Sequence, residues 1–128
     1  MSTPFTTVIH ARGFSVTPAI RQHVNRRLTL ALERFSDQIS QVDVFMKDLN
    51  GSGKGGEDQS VLVSVRLLGQ PDIVTETISH DLYVSVSLAA RRTRRVVHRA
   101  VKRHHRLDRR SIRQLYLPEP EAVEMVQG

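Results

Sequence analysis

The stretch from Asp81 to Arg106 constrains the fold most, because it predicts one long helix with two chemically opposed faces. At about 100° per residue, its small and apolar side chains fall on one arc. This apolar arc comprises Leu82, Val86, Ala89, Ala90, Thr93, Val96, Val97, Ala100 and Val101. The remaining circumference forms a basic arc of Arg91, Arg92, Arg94, Arg95, Arg99, Lys102 and Arg103. No acidic residue lies between Asp81 and Asp108, so the apolar arc needs cover from the rest of the chain and the basic arc needs an external anion.

The positive charge of the chain is concentrated in and just after this helix. The formal net charge is +6, and eleven of the nineteen Lys and Arg residues lie between positions 91 and 113. A solvated helix face usually mixes charges of both signs in i,i+4 pairs, and this face does not. The planar guanidinium of Arg suits bidentate phosphate contacts. We therefore expect nucleic acid as the partner, whereas a membrane fits poorly because the apolar arc lacks Trp and Phe anchors.

The composition limits the class of protein. A chain of 128 residues is long enough for one domain with its own core. The absence of cysteine excludes disulfides, thiolate metal sites and cysteine nucleophiles, and it fits a reducing compartment. The first residues lack the apolar region of a signal peptide, and no apolar run is as long as a membrane span. We expect a soluble, cytoplasmic domain that binds no membrane.

The rest of the chain predicts four strands and one further helix. The strands are Phe5–Arg12, Ile39–Lys47, Ser60–Leu68 and Ile73–Ser79. The helix begins at Thr17-Pro18, where a hydroxyl caps the first turn and proline takes the first helical position, and it runs to about Phe35. Leu30 points away from its apolar stripe, and the pattern gives no reason for this. Residues 48–58 form a glycine-rich loop, in which Gly55 stands where a phosphate-binding loop needs Ser or Thr.

The element order β-α-β-β-β-α predicts an α+β fold in two layers. Each strand exposes one apolar face and each helix one apolar stripe, so both helices are expected on one face of a four-stranded, mainly antiparallel sheet. This arrangement places the basic side chains of both helices on the same solvent side. The domain is expected to span residues 1–106. Residues 107–128 are expected to form a disordered tail, because their end is acidic and contains proline.

Three segments carry a resemblance to a known family. They are TPAIR at positions 17–21, LERF at 32–35 and DLY at 81–83, where the last helix opens. In order and spacing they resemble the ribosome hibernation factors, the group of hibernation promoting factor and protein Y, over about Thr6 to Arg106. Ser87 departs from the family, which commonly has Asp there, and Arg91, Arg94 and His98 add basic or titratable groups.

The resemblance implies a function and a set of RNA-binding residues. Factors of this family bind rRNA of the small ribosomal subunit, in the channel used by mRNA and tRNA, and silence translation under stress. The basic positions that match are Arg27, Arg92, Arg95, Arg99 and Arg103, to which the basic arc adds Arg91 and Lys102. The length implies a short-type factor without the dimerisation domain of long members, monomeric off the ribosome. A paralogue retuned for another RNA is also compatible.

Catalytic and metal sites find no support in the sequence. The six histidines have no carboxylate or cysteine at ligand spacing, so we expect no metal and no cofactor. No paired carboxylates or nucleophile motif occurs, so we expect no enzyme and no small-molecule substrate. Tyr83 is expected in the core. The sheet is expected to lack the aromatic pairs of a base-stacking platform, which favours recognition of RNA backbone and shape. The competing hypothesis is a regulator whose basic helix binds an acidic protein partner.

Overall fold

A computed structural model of the protein describes residues 5–13, 15–49 and 58–116, with side chains as far as Leu107. Its elements are β1 (Thr6–Arg12), α1 (Pro18–Leu32), a 3-10 helix (Glu33–Gln38), β2 (Ile39–Asp48), β3 (Gln59–Leu67), β4 (Ile73–Ser79) and α2 (Leu82–Tyr116). The predicted order β-α-β-β-β-α is confirmed. The centre of the predicted loop, residues 50–57, and the predicted tail from residue 117 onward lie outside the described residues.

Both helices end at residues other than the predicted ones. The first helix ends at Leu32, and the chain tightens into the 3-10 helix, which buries Phe35. The second helix continues to Tyr116, beyond the predicted end at Arg106. Residues 107–116 contain no glycine or proline to stop it, and most of them are adequate helix formers. Backbone contacts divide the chain into two compact units, Met1–His98 and Arg99–Gly128.

The first unit contains a four-stranded mixed sheet in the order β1-β2-β3-β4. β1 pairs with β2 in parallel through the α1 crossover, whereas β2, β3 and β4 are antiparallel neighbours. The β3–β4 turn places Gly69 at φ 75°, a backbone conformation that side chains with a Cβ rarely adopt. Gly13, which ends β1, has φ 93°.

The core of the first unit lies between the sheet and the two helices. Alternation along β2 buries Val42, Val44 and Met46, and β3 buries Val61, Val63, Val65 and Leu67. The helices cover this face with Val24, Leu28, Ala31 and Leu32 of α1 and with Val86, Ala89, Ala90, Thr93 and Val97 of α2. Fully burying a Val, Leu or Met side chain stabilises the fold by about 1.5–3 kcal/mol. The two-layer α+β prediction is therefore confirmed.

Polar contacts fix α2 on the sheet beside β3 and β4. The hydroxyl oxygens of Thr75 and Thr93 lie 2.8 Å apart in a buried hydrogen bond between the layers. Ser85 Oγ donates to the Gln59 carbonyl at 3.1 Å. These bonds explain how polar residues lie within a buried helix stripe, since a buried hydroxyl without a partner destabilises the fold.

Candidate nucleic-acid interface

The start of α2 positions the first part of the basic arc. Asp81 caps the helix by accepting the backbone N–H of Tyr83 at 2.8 Å. With Thr93 and Val97 held in the core, the helical period turns the intervening arginines outward. In the first unit, the exposed members of the basic arc are Arg91, Arg92, Arg94 and Arg95.

These arginines have no acidic partners within the described residues. Among residues 5–13, 15–49 and 58–107, the ion pairs that Asp43 and Asp58 form are with His10 and His80, and no carboxylate pairs with an arginine of α2. Arg92 differs from its neighbours, because its guanidinium donates to the backbone carbonyl of Glu76 at 2.7 Å. The other three guanidiniums keep their donors available to an external anion.

The remaining predicted residues of α2 belong to the second unit. Within it, Arg99, Lys102 and Arg103 are exposed, whereas Ala100 and Val101 are buried. The predicted alternation between an apolar and a basic arc therefore continues in this segment of the helix.

Arg27 of α1 meets the basic arc at a groove between α1 and α2. This arginine groove has a volume of about 210 Å³. Its lining residues are Arg27, Leu30 and Ala31 of α1 and Ser87, Ala90, Arg91 and Arg94 of α2. Two predicted site residues, Arg27 and Arg91, are therefore brought together here.

Sequence reasoning placed Arg94 on the basic arc without naming it among the RNA-binding residues, and it left Leu30 without an explanation. Arg94 follows Arg91 by three residues, so it lies on the same side of α2, and this spacing was a readable signal. Leu30 has 60% of its surface exposed and lines the groove beside Arg27. No sequence pattern gives the angle at which two helices face each other, and that angle places Leu30 at the groove.

Tyr83 is not in the core, and that prediction was wrong. The residue is 41% exposed and lies at the seam between the helices. Its ring packs edge-on against His23 of α1, with ring centroids 4.9 Å apart. The His23 Nε2 atom lies 3.1 Å from the Tyr83 carbonyl and 3.4 Å from Ser87 Oγ. The contact with α1 thus replaces the burial expected from the helix pattern.

The opposite face of the sheet carries an aromatic pair that the sequence reasoning did not expect. His10 of β1 stacks on Phe45 of β2, with centroids 4.5 Å apart and an interplanar angle of 10°. The pair depends on the parallel register, which sets His10 opposite Phe45. Asp43 Oδ1 lies 3.3 Å from His10 Nε2 and holds the imidazole in place. The absence of the aromatic pairs of a base-stacking platform stays a prediction, because this contact is one His–Phe pair whose imidazole is already held by Asp43.

Two further features bear on the class of site. Within the described residues, no three His, Asp or Glu side chains are grouped closely enough to hold a metal ion. No helix in that part of the chain is long and apolar enough to cross a membrane.

Comparison with known proteins identifies the family. The fold is similar to a ribosomal subunit interface protein from Coxiella burnetii, with a TM-score of 0.62 and 19% identity over 76% of this chain and 98% of that one. It is also similar to the N-terminal domain of Thermus thermophilus Protein Y, with a TM-score of 0.59 and 25% identity over 73% of this chain and 93% of that one. A search of curated proteins gives no match. The model of one family, described as Sigma 54 modulation protein / S30EA ribosomal protein, matches residues 7–105, and the chain therefore belongs to that family.

Proposed function

We propose that the protein is a non-enzymatic ribosome hibernation factor that binds the small ribosomal subunit and blocks translation. Its rRNA contacts are made in the mRNA and tRNA channel by basic side chains of α1 and α2. The observation that carries the proposal is the set of exposed arginines on α2 that have no carboxylate partner within the described residues. Membership of a family whose description includes a ribosomal protein supports the same partner.

The proposed inhibition is steric and needs no chemical step. A bound domain fills space that mRNA and tRNA would occupy, and its affinity comes from counterions released when side chains meet phosphates. The proposed contacts are Arg27, Arg91, Arg92, Arg95, Arg99, Lys102 and Arg103. Arg92 contributes less than its neighbours, because it already donates to the Glu76 carbonyl.

A sucrose gradient of cell lysate tests the partner. We expect the protein to sediment with small subunits or whole ribosomes in starved cells, and to leave them as the salt concentration rises. Purified small subunits should bind the protein, and excess mRNA and tRNA should displace it. Recovery only in the soluble fraction, in both growth and starvation, would contradict the proposal and favour the hypothesis of an acidic protein partner.

A further inference from the structure

The arginine groove is a concave part of the basic surface. Arg27 is half-buried there and approaches from α1, whereas Arg91 and Arg94 approach from α2. Its lining contains no carboxylate, and none of the three arginines forms an ion pair within the described residues. Three cationic groups thus converge on one small volume with no anion of the protein to balance them.

This convergence costs stability unless an anion enters the groove. Like charges three residues apart on a helix destabilise it slightly, and Arg27 adds a third positive charge from the opposite wall. A phosphate group has oxygens on several sides, and guanidinium forks bind phosphate oxygens through paired hydrogen bonds. The charge and geometry of the groove are complementary to such a group.

The size of the groove limits which ligands it can hold. Small-molecule pockets commonly measure about 300–1,000 Å³, and this groove, at about 210 Å³, is smaller. It has room for a phosphate group and part of what is attached to it, and not for a whole cofactor. Ala31 and Ala90 add apolar surface to the lining, and Leu30 adds a further exposed apolar surface beside Arg27. An attached ribose can pack against Leu30.

We propose that the arginine groove binds one phosphate group of a single RNA strand, with the adjoining ribose packed on Leu30. The inference rests on the proposed function and deepens it, because it assigns a defined subsite to one nucleotide. Free phosphate shares the same chemistry but has nothing to place against Leu30. The groove therefore favours a phosphodiester of RNA over the free anion.

Leu30 provides a test that leaves every arginine in place. Its side chain lines the groove and is exposed. In the Leu30→Glu variant, a carboxylate would compete with the phosphate for the groove arginines, and the apolar surface for the ribose would be lost. The matched control is Gln22→Glu, which removes the same net charge from an exposed position on α1 that does not line the groove.

The first measurement follows the arginine Nε–Hε signals by NMR during titration of the full-length protein. One titration adds a short single-stranded RNA, and the other adds inorganic phosphate at the same phosphate concentration. We expect the signals of Arg27, Arg91 and Arg94 to shift at lower concentrations of RNA than of phosphate. Replacement of Leu30 by Ala should reduce this difference. Equal shifts with both ligands would overturn the assignment to RNA.

The second measurement is the affinity for purified small ribosomal subunits across a salt titration. Leu30→Glu should weaken binding about tenfold or more relative to Gln22→Glu, because a charge-assisted contact is lost. The slope of log K against log salt should also fall by about 0.7–0.9, the effect of one phosphate. Arg94→Gln provides a second variant, with the same expected loss, should the Leu30→Glu variant fail to fold by circular dichroism.

The outcomes separate the two proposals. If both Leu30→Glu and Gln22→Glu bind small subunits as the wild type does, the arginine groove binds no RNA and the inference fails while the proposed function stands. If the wild type does not bind small subunits, the proposed function fails. A shift of the groove arginines by the RNA strand would then still support the subsite.

Discussion

Thr93 is the polar member of the apolar arc, and its position illustrates how one hydroxyl fixes a helix on a sheet. Its partner Thr75 lies on β4, and both side chains are buried. The pair satisfies two polar groups at once in a layer that is otherwise aliphatic. Removing one partner should therefore destabilise the fold more than removing both.

A double-mutant cycle tests this pair. We expect Thr93→Val to lower the free energy of unfolding by about 1–3 kcal/mol, because the Thr75 hydroxyl is left buried without a partner. Thr75→Val combined with Thr93→Val should recover part of the loss. Urea denaturation of the two single variants and the double variant measures the coupling. Strict additivity of the two single effects would contradict the hydrogen bond.

Arg92 and Arg95 should separate a structural role from the proposed RNA-binding role within one basic arc. Arg92→Ala removes the bond to the Glu76 carbonyl, so we expect a loss of about 1 kcal/mol in unfolding free energy. Arg95 is exposed and has no ion pair within the described residues, so Arg95→Ala should leave stability within about 0.5 kcal/mol. Chemical denaturation of the two variants decides the point, and equal stabilities would remove the structural role of Arg92.

At the scale of single residues, the sequence was informative where burial follows a simple period. The alternation of Val42, Val44 and Met46 and the buried stripe of α2 are direct consequences of strand and helix geometry. The positions of Leu30 and Tyr83 depend on how α1 and α2 face each other. A single-element pattern contains no information about that contact, so the sequence could not assign them.

At the scale of elements, α2 combines two tasks that can be separated by mutation. In the first unit, its apolar arc as far as Val97 covers the sheet, whereas the arginines of its basic arc remain exposed. The sequence predicted both arcs because helical period and charge are local properties. It placed the helix end too early, because the polar residues after Leu107 lack the apolar periodicity that predicts a helix. No glycine or proline stops the helix there, and it therefore continues.

Separate substitutions in the basic arc and in the apolar arc test this separation. Replacing Arg95, Arg99 and Arg103 together with Ala should leave the thermal midpoint within a few degrees, because exposed charges contribute little and Ala is a good helix former. The slope of log K against log salt for small-subunit binding should fall by about 2–3. Val97, which is fully buried, provides the contrasting variant.

We expect Val97→Asp to unfold the protein or to lower its free energy of unfolding by several kcal/mol, because the substitution buries an unpaired charge. Thermal denaturation beside a salt titration measures both variants. Unchanged affinity and salt slope in the three-alanine protein would show that the basic arc is only a solvated surface.

Gly13 and Gly69, which both have positive φ, should differ in their tolerance of a side chain. A Cβ at Gly69 would meet nothing within 4 Å, so Gly69→Ala should cost about 1–2 kcal/mol from backbone strain alone. A Cβ at Gly13 would lie 3.3 Å from the Cβ of Asp48, so Gly13→Ala should cost more. Denaturant midpoints of the two variants give the comparison, and an equal or reversed order would contradict it.

At the scale of the whole molecule, the element order fixed the architecture more firmly than any single residue did. Four half-buried strands and two amphipathic helices have few ways to bury their apolar faces, and a two-layer sandwich is the simplest. The strand order and the parallel β1–β2 register are not encoded in local pattern, so the contact of His10 with Phe45 could not be foreseen. The same holds for the arginine groove, which needs both helices in place.

Residues 117–128 provide a prediction at this scale. We propose that this acidic, proline-containing stretch contributes nothing to the folded domain, as its composition suggests. A variant ending at Tyr116 should have a free energy of unfolding within about 1 kcal/mol of that of the full chain. A larger loss in chemical denaturation would mean that the stretch packs on the domain.

The position of β1 at the sheet edge has a consequence for the time at which the arginine groove is assembled. β1 is made first, yet among the described strands it pairs with β2 alone, which follows after the whole of α1. The buried face of β3 and β4 stays uncovered until α2 has been synthesised as far as Val97. Long-range contacts of this kind form late, after their loop-closure entropy has been offset. A nascent chain therefore has no assembled arginine groove, and the ribosome synthesises nearly all of the described domain before that groove exists.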